Sequence, residues 1–247
     1  MTTTNKFLER IKEHRDSKKT EKFSGKLAEY LQLLENDSTI ASLAHKRLYE
    51  QIMSHGLTTL DETDMRCNKI FDGEEVKVYD YFASQFFGME RPLEKVMRFL
   101  RSAAMKGEES RQVLLLLGPV GAGKSALVEH IKGALEQCDP VYALDGCPIR
   151  EEPLHLIPRS LRDDFEKEYG IKIEGDLCPV CRHRLIEEFN GDFTQFPITQ
   201  SSFSVRGRKG VGVVPPMDPN TQDTSLLIGS EDISKLDLYP EDDPRVL

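Results

Sequence analysis

The sequence predicts an α/β fold, a parallel-sheet core preceded by an N-terminal helical region, and three observations carry that prediction. Residues 113–117, Val-Leu-Leu-Leu-Leu, form a continuous apolar run of the kind found in a parallel strand covered on both faces. A glycine-rich octapeptide follows at once, Gly118-Pro119-Val120-Gly121-Ala122-Gly123-Lys124-Ser125. After it Leu127, Val128, Ile131, Ala134 and Leu135 recur at helical spacing.

Strand, loop and helix in this order make the octapeptide a Walker A P-loop. The glycines let successive backbone N–H groups turn toward a triphosphate, and the helix N-terminus adds its dipole. Lys124 supplies positive charge and Ser125 reaches Mg²⁺. By accident the pattern should appear in roughly one chain per hundred of this length. The alternative is a glycine-rich αβ turn with an exposed lysine, which the strand, loop and helix in the required order leave as the minor reading. The expected ligand is an adenine or guanine nucleotide with Mg²⁺.

The elements follow in order. Residues 5–15 fit a short first helix, and residues 23–35 a second with Leu27, Tyr30, Leu31 and Leu34 on one face. A third helix is expected from Ser38 as N-cap, with Ile40, Leu43, Ala44, Leu48 and Ile52 on a stripe and Gly56 at its end. This gives an N-terminal helical region over 1–60. Residues 61–84 are rich in Asp, Glu and Thr and read as a connector, and 85–247 as the P-loop domain. In that domain Pro92 suits the first turn of a helix carrying Leu93, Val96, Met97 and Leu100 inward. Residues 141–144 form a short strand, Ser160 and Asp163 open a helix that ends at Gly170, and 196–214 suggest a β-hairpin with a basic tip at 206–210. That tip is either a solvated turn or a contact for an acidic or phosphorylated partner.

The composition excludes some classes of protein. A net charge of −9 argues against a surface that wraps nucleic acid as a whole. No window is apolar enough for a membrane span, and the first residues alternate charges where a secretory signal needs an apolar stretch. The expected compartment is the cytoplasm, where five cysteines stay reduced. Among these, Cys178-Pro179-Val180-Cys181 has the spacing of a zinc knuckle. Cys147 and either His183 or His155 are candidates to complete a Cys₃His site. The competing reading is a pair of reduced structural thiols; a redox role lacks the thioredoxin-like strand and helix around it. Cys67 and Cys138 stand alone.

Longer strings carry a resemblance. Phe87-Gly88, Leu115-Leu116-Leu117-Gly118-Pro119-Val120, Tyr142-Ala143-Leu144, Cys147-Pro148 and 152–158 resemble the PrkA family, as do 161–165, 168–171, Gln222-Asp223, Gly229-Ser230 and Asp243-Pro244-Arg245. The resemblance implies the N-terminal AAA+ domain of a bacterial serine protein kinase, a family also discussed as AAA+ proteases. It implies ATP and Mg²⁺ as cofactors, a protein substrate, and ring or oligomer formation through an arginine from a neighbouring subunit. An AAA+ site also needs a Walker B strand ending in Asp-Glu. The nearest candidates, 141–145 and 226–232, match poorly, and neither an H-R-D loop nor a D-F-G motif is present. The resemblance therefore implies an N-terminal fragment, truncated before Walker B and inactive by itself. A remodelling ATPase or protease component, or a nucleotide-dependent binding module, are the alternative readings.

Overall fold

The computed structural model describes residues 23–61, 63–66, 71 and 74–214. In chain order the principal elements are β1 (Ser24–Gly25), α1 (Leu27–Asn36), α2 (Ala44–Met53), β2 (Leu57–Leu60), β3 (Val76–Tyr79), α3 (Asp80–Ala83) and α4 (Glu90–Ala104). Then come α5 (Lys124–Glu136), β4 (Val141–Leu144), α6 (Arg159–Tyr169), α7 (Pro179–Glu187) and β5 (Ile198–Ser201), with short 3₁₀ turns between them. The expected helix over 5–15 and the second Walker B candidate at 226–232 lie outside the described residues, as does Cys67.

These elements fall into two compact units that interleave along the chain. The described part of the first comprises 23–40, 140–201 and residue 214; that of the second comprises 41–139, less the gaps already given, and 202–213. The expected helical region is thus divided, with α1 in the first unit and α2 in the second, and 57–60 is a strand. Residues 76–83, assigned to a connector by composition, form β3 and α3.

In the second unit, helix α4 follows its stripe. Leu93, Val96, Met97 and Leu100 are buried and pack with Leu48 and Ile52 of α2, Tyr79, Phe82 and Phe86, and Leu127 and Ala134 of α5. The third helix begins later than its pattern suggests. Asp37 Oδ1 accepts from Thr39 N at 2.9 Å and Thr39 Oγ1 at 2.6 Å, and this side-chain turn diverts 38–41 into a 3₁₀ turn before α2 starts at Ala44. Gly56 closes that helix at φ +112°, a conformation that only glycine adopts without strain. Strands β2 and β3 then pair antiparallel, Leu57 opposite Tyr79 and Leu60 opposite Val76.

The first unit is built on a three-stranded antiparallel sheet in the order β1-β5-β4. Ile198 is fully buried and pairs with both Gly25 and Leu144. Helix α1 buries Leu27, Tyr30 and Leu34, with the Tyr30 ring 5.3 Å from that of Tyr142 on β4. Helix α6 starts at Arg159 after Pro158, so Ser160 sits inside the first turn and does not cap it; Gly170 ends the helix at φ +66°. Residues 204 and 209 form an isolated antiparallel bridge, the reduced form of the expected basic hairpin.

The expected parallel sheet is not formed among the described residues, whose two sheets are small and antiparallel. Residues 113–117 form no regular element and pair with no strand, and Val113 and Leu117 are 89% and 85% exposed. An apolar run reads as a covered strand only when neighbours supply a hydrogen-bonding ladder and two packing faces. Here no described strand lies beside the run to supply that ladder, and only Leu116 of it packs against the core.

The fully buried Phe82 ring lies at the centre of the second unit. Its replacement, Phe82→Ala, is expected to lower stability by about 3–5 kcal/mol. Urea unfolding followed by circular dichroism measures the loss, and a change below about 1 kcal/mol would contradict the packing described.

Candidate functional site

The octapeptide loop emerges from the exposed run at 113–117 and ends at Gly123, the N-cap of α5. Gly121 and Gly123 have φ of +84° and +77°, so both require the left-handed region that glycine supplies. At Gly123 only the backbone conformation demands glycine, since a Cβ would meet Met89 Sδ at 3.5 Å, an ordinary contact. Around Gly121 there is open space. The amide of Leu127 donates to Gly123 O at 2.9 Å, which leaves the first helical N–H groups, including those of Lys124 and Ser125, without intrahelical acceptors.

Lys124 closes the loop on itself. Its ammonium donates to Gly118 O at 2.8 Å and Pro119 O at 2.6 Å. Both acceptors are neutral carbonyls, which an anionic oxygen outcompetes as a partner for an ammonium. Ser125 is exposed at the first turn of α5. The loop thus brings Gly118, Pro119, Val120, Gly121, Ala122, Gly123, Lys124 and Ser125 to one solvent-facing helix terminus.

Helix α5 is held in place farther along. Tyr81 Oη donates to His130 O at 2.8 Å and His130 Nε2 donates to Tyr81 O at 2.9 Å, a reciprocal pair between α3 and α5. The His130 ring also lies 5.7 Å from the rings of both Phe82 and Phe86. Asp145, which ends the poorly matching Walker B candidate at 141–145, donates its N–H to Pro197 O and accepts from Arg184 at its carbonyl.

A second constellation lies in the first unit. The turn after β4 reverses the chain through Gly146 at φ +71° and Arg150 at φ +53°, and Leu144 N donates to Glu151 O at 2.9 Å. The reversal places Cys147 and Glu151 together. Cys178 caps α7, its Sγ accepting from Cys181 N at 3.3 Å. The sulfurs of Cys147, Cys178 and Cys181 and a carboxylate oxygen of Glu151 all lie within 4.8 Å of one another. Cys147 and Cys181 are buried and Cys178 is half-buried. Burial pushes the Cys178 thiol up, and burial together with the neighbouring thiols pushes Cys181 up far more.

The structure therefore brings together the three expected cysteines but neither expected histidine. Cys181 and His183 are two residues apart on α7, about 200° around the helix axis, so they point to opposite sides. His155 stands one shell out, with Nδ1 3.1 Å from Glu151 Oε1 and Nε2 donating to Glu174 O at 3.0 Å. The fourth donor is Glu151, which sequence reasoning missed. The available signal was its spacing of four from Cys147 across a turn that begins with Pro148, but ligand spacings built from cysteine and histidine pass over it.

Segment 170–178, which delivers Cys178, is tied to α6. Arg159 and Arg162 both engage the Asp176 carboxylate, Arg162 at 3.3 Å. The hydrogen bond from the Arg159 guanidinium holds the Asp176 carboxyl down at about 2.

A glycine-rich loop capping a helix in a chain of mixed helix and strand defines the class only as α/β. The family model of the PrkA AAA domain matches residues 25–247, and the chain belongs to that family. Membership implies nucleotide binding. The chain is similar to a protein of Bacillus subtilis (strain 168) named ATP-dependent protease PrkA, with 38% identity over 245 residues that cover 96% of this chain and 37% of the relative. It is similar also to a protein of Escherichia coli (strain K12) named serine/threonine kinase YeaG, at 33% over 238 residues, or 93% of this chain and 36% of the relative. The chain thus spans little more than a third of the length of these curated relatives. No solved structure gives a significant match.

Because the folded-state pKa of Asp176 is depressed, its contribution to stability is present above the unfolded value of 3.8 and is lost as pH falls through about 2. The gap in thermal midpoint between the native protein and Asp176→Asn is expected to close over that window, and to shrink with added salt because the pair is near the surface. A gap unchanged down to about pH 2 would exclude the ion pair.

Proposed function

We propose that the chain binds Mg-ATP through 118–125 and forms the ATP-binding AAA+ portion of a PrkA-type bacterial serine protein kinase. One observation carries the reading: the N-terminus of α5, preceded by Gly121 and Gly123 in left-handed geometry, has Lys124 poised across its mouth on two neutral carbonyls. The open space around Gly121 and the unpartnered first-turn amides suit a group rich in anionic oxygens. In this reading the loop amides surround the phosphates, Lys124 exchanges its carbonyl partners for phosphate oxygens, and Ser125 offers its hydroxyl to Mg²⁺. Mg²⁺, when bound, neutralises phosphate charge.

The exposed apolar run at 113–117 supports the same reading, since an unpaired strand of this kind is suited to accept neighbours in a larger sheet. The reading includes a protein substrate, ring or oligomer assembly in the longer protein, and a cytoplasmic setting. Among the described residues no helix is long and apolar enough to cross a membrane.

A second reading, an AAA+ remodelling ATPase or protease component, is favoured by the relative named as an ATP-dependent protease. The longer protein separates the two. ATP-dependent phosphate transfer to a serine-bearing protein supports the kinase, and ATP-dependent peptide cleavage supports the protease.

Lys124→Ala is expected to abolish measurable Mg-ATP binding by calorimetry, while Ser125→Ala retains ATP but loses most of the Mg²⁺ enhancement. Equal affinity in Lys124→Ala and the native chain would sink the assignment of this loop.

A further inference from the structure

We propose that Cys147, Cys178, Cys181 and Glu151 form a closed tetrahedral zinc site that fastens the turn after β4 to the N-terminus of α7. The separations fit. Zinc–sulfur bonds of about 2.3 Å in a regular tetrahedron place sulfurs about 3.8 Å apart, and Cys147 Sγ lies 3.9 Å from Cys178 Sγ. At that distance the pair is reduced, since a disulfide bond is only about 2.05 Å long.

Glu151 supplies the independent observation. Its side chain is 3% exposed, and Oε2 is buried without any hydrogen-bond partner. The other oxygen, Oε1, accepts from Cys178 N at 2.7 Å, so the carboxylate is held against the thiols with one oxygen unsatisfied. Leaving such an oxygen unpaired costs several kcal/mol, and a cation among the four donors removes that cost. Three buried or half-buried thiols beside it point the same way. A disulfide between any two would leave the third thiol and the orphan oxygen unmet.

The surroundings match a site built for thiolates. Cys181 N donates to Cys178 Sγ at 3.3 Å and Glu151 N to Cys147 Sγ at 3.4 Å, so two backbone amides share the charge of the sulfurs. Cys178 and Cys181 occupy the N-cap and first turn of α7, where the helix favours negative charge. Three thiolates and a carboxylate outnumber the two charges of the ion, and Arg184, beside Cys181 with Nη1 on Asp145 O at 2.7 Å, offsets part of the excess. His155 braces Glu151 from outside and is itself fixed by Glu174 O, the usual arrangement around a metal-bound carboxylate.

Donor chemistry selects the metal. A sulfur-rich set disfavours Mg²⁺ and Ca²⁺ and favours Zn²⁺. Four protein donors with two buried cysteines leave no open position for substrate water, so the site is structural. It joins segments separated by about thirty residues of sequence, in a unit whose sheet has only short strands.

The test uses the full chain, untagged and purified with added Zn²⁺ and then desalted. Elemental analysis should find close to one zinc per chain, and less than about a tenth of an equivalent overturns the proposal. Co²⁺ in place of Zn²⁺ should give thiolate charge-transfer bands and the visible bands of a tetrahedral ion; octahedral cobalt without charge transfer overturns it. Cys181→Ser should lose the metal. Because that variant can fail to fold, Glu151→Gln, nearly isosteric, is the second arm. Its zinc affinity, read by competition with a chelator, should fall at least about tenfold, while His183→Ala leaves it unchanged. Zinc lost from His183→Ala and kept in Glu151→Gln overturns the assigned fourth ligand.

Discussion

The reciprocal hydrogen bonds between Tyr81 and His130 are the constraint on which the glycine-rich loop at 118–125 depends. A phosphate-binding loop needs a backbone free to adopt left-handed conformations, yet its amides must point in a fixed direction. Those demands conflict unless rigidity is supplied from outside the loop. Helix α5 supplies it: six residues separate Lys124 from His130, about 9 Å along the axis, so fixing His130 fixes the helix terminus. Burial of Leu127 and Ala134 against the core of α2 and α4 completes the anchor.

The first unit meets a similar demand with different means. Its sheet contains a two-residue edge strand and two four-residue strands, and its helices α6 and α7 are connected by an extended segment. Apolar burial comes from Leu27, Tyr30 and Leu34 of α1, Leu144 and Ile198 of the sheet, and Leu154, Leu156, Phe165, Cys181 and Phe196. The segments between these elements are held by polar contacts: Asp176 bound by two arginines, Arg162 donating to Ile157 O and Gly175 O, and Glu151 braced by His155 and by the amide of Cys178. Such contacts hold a chain in register but stabilise little at the surface, which is why a metal-centred junction suits this unit.

Much of the helical structure was legible in the chain because its cause is local. The stripe Leu93, Val96, Met97 and Leu100 predicts both helix and buried face, and Gly170 marks a C-terminus through its own φ preference. Where a side chain competed with the helix, as Asp37 does at Thr39, the pattern ran ahead of the structure and the start of α2 moved. Sheet pairing was not legible. An apolar run such as 113–117 specifies a strand only together with partners, and partners are chosen by tertiary geometry.

The sequence by itself determined the glycine-rich loop and the helix it opens, since glycine, lysine and serine at fixed spacing specify backbone freedom, charge and a hydroxyl within one turn of chain. It also determined that Cys178 and Cys181 share a helix start, for a C-x-x-C spacing is local. Only the tertiary structure decided that Glu151 faces those sulfurs and His183 does not, because the choice rests on a turn reversing after β4 and on the angular position of each residue on α7. It alone decided, too, that the described strands pair antiparallel, since hydrogen bonds between distant segments are settled by which backbones meet.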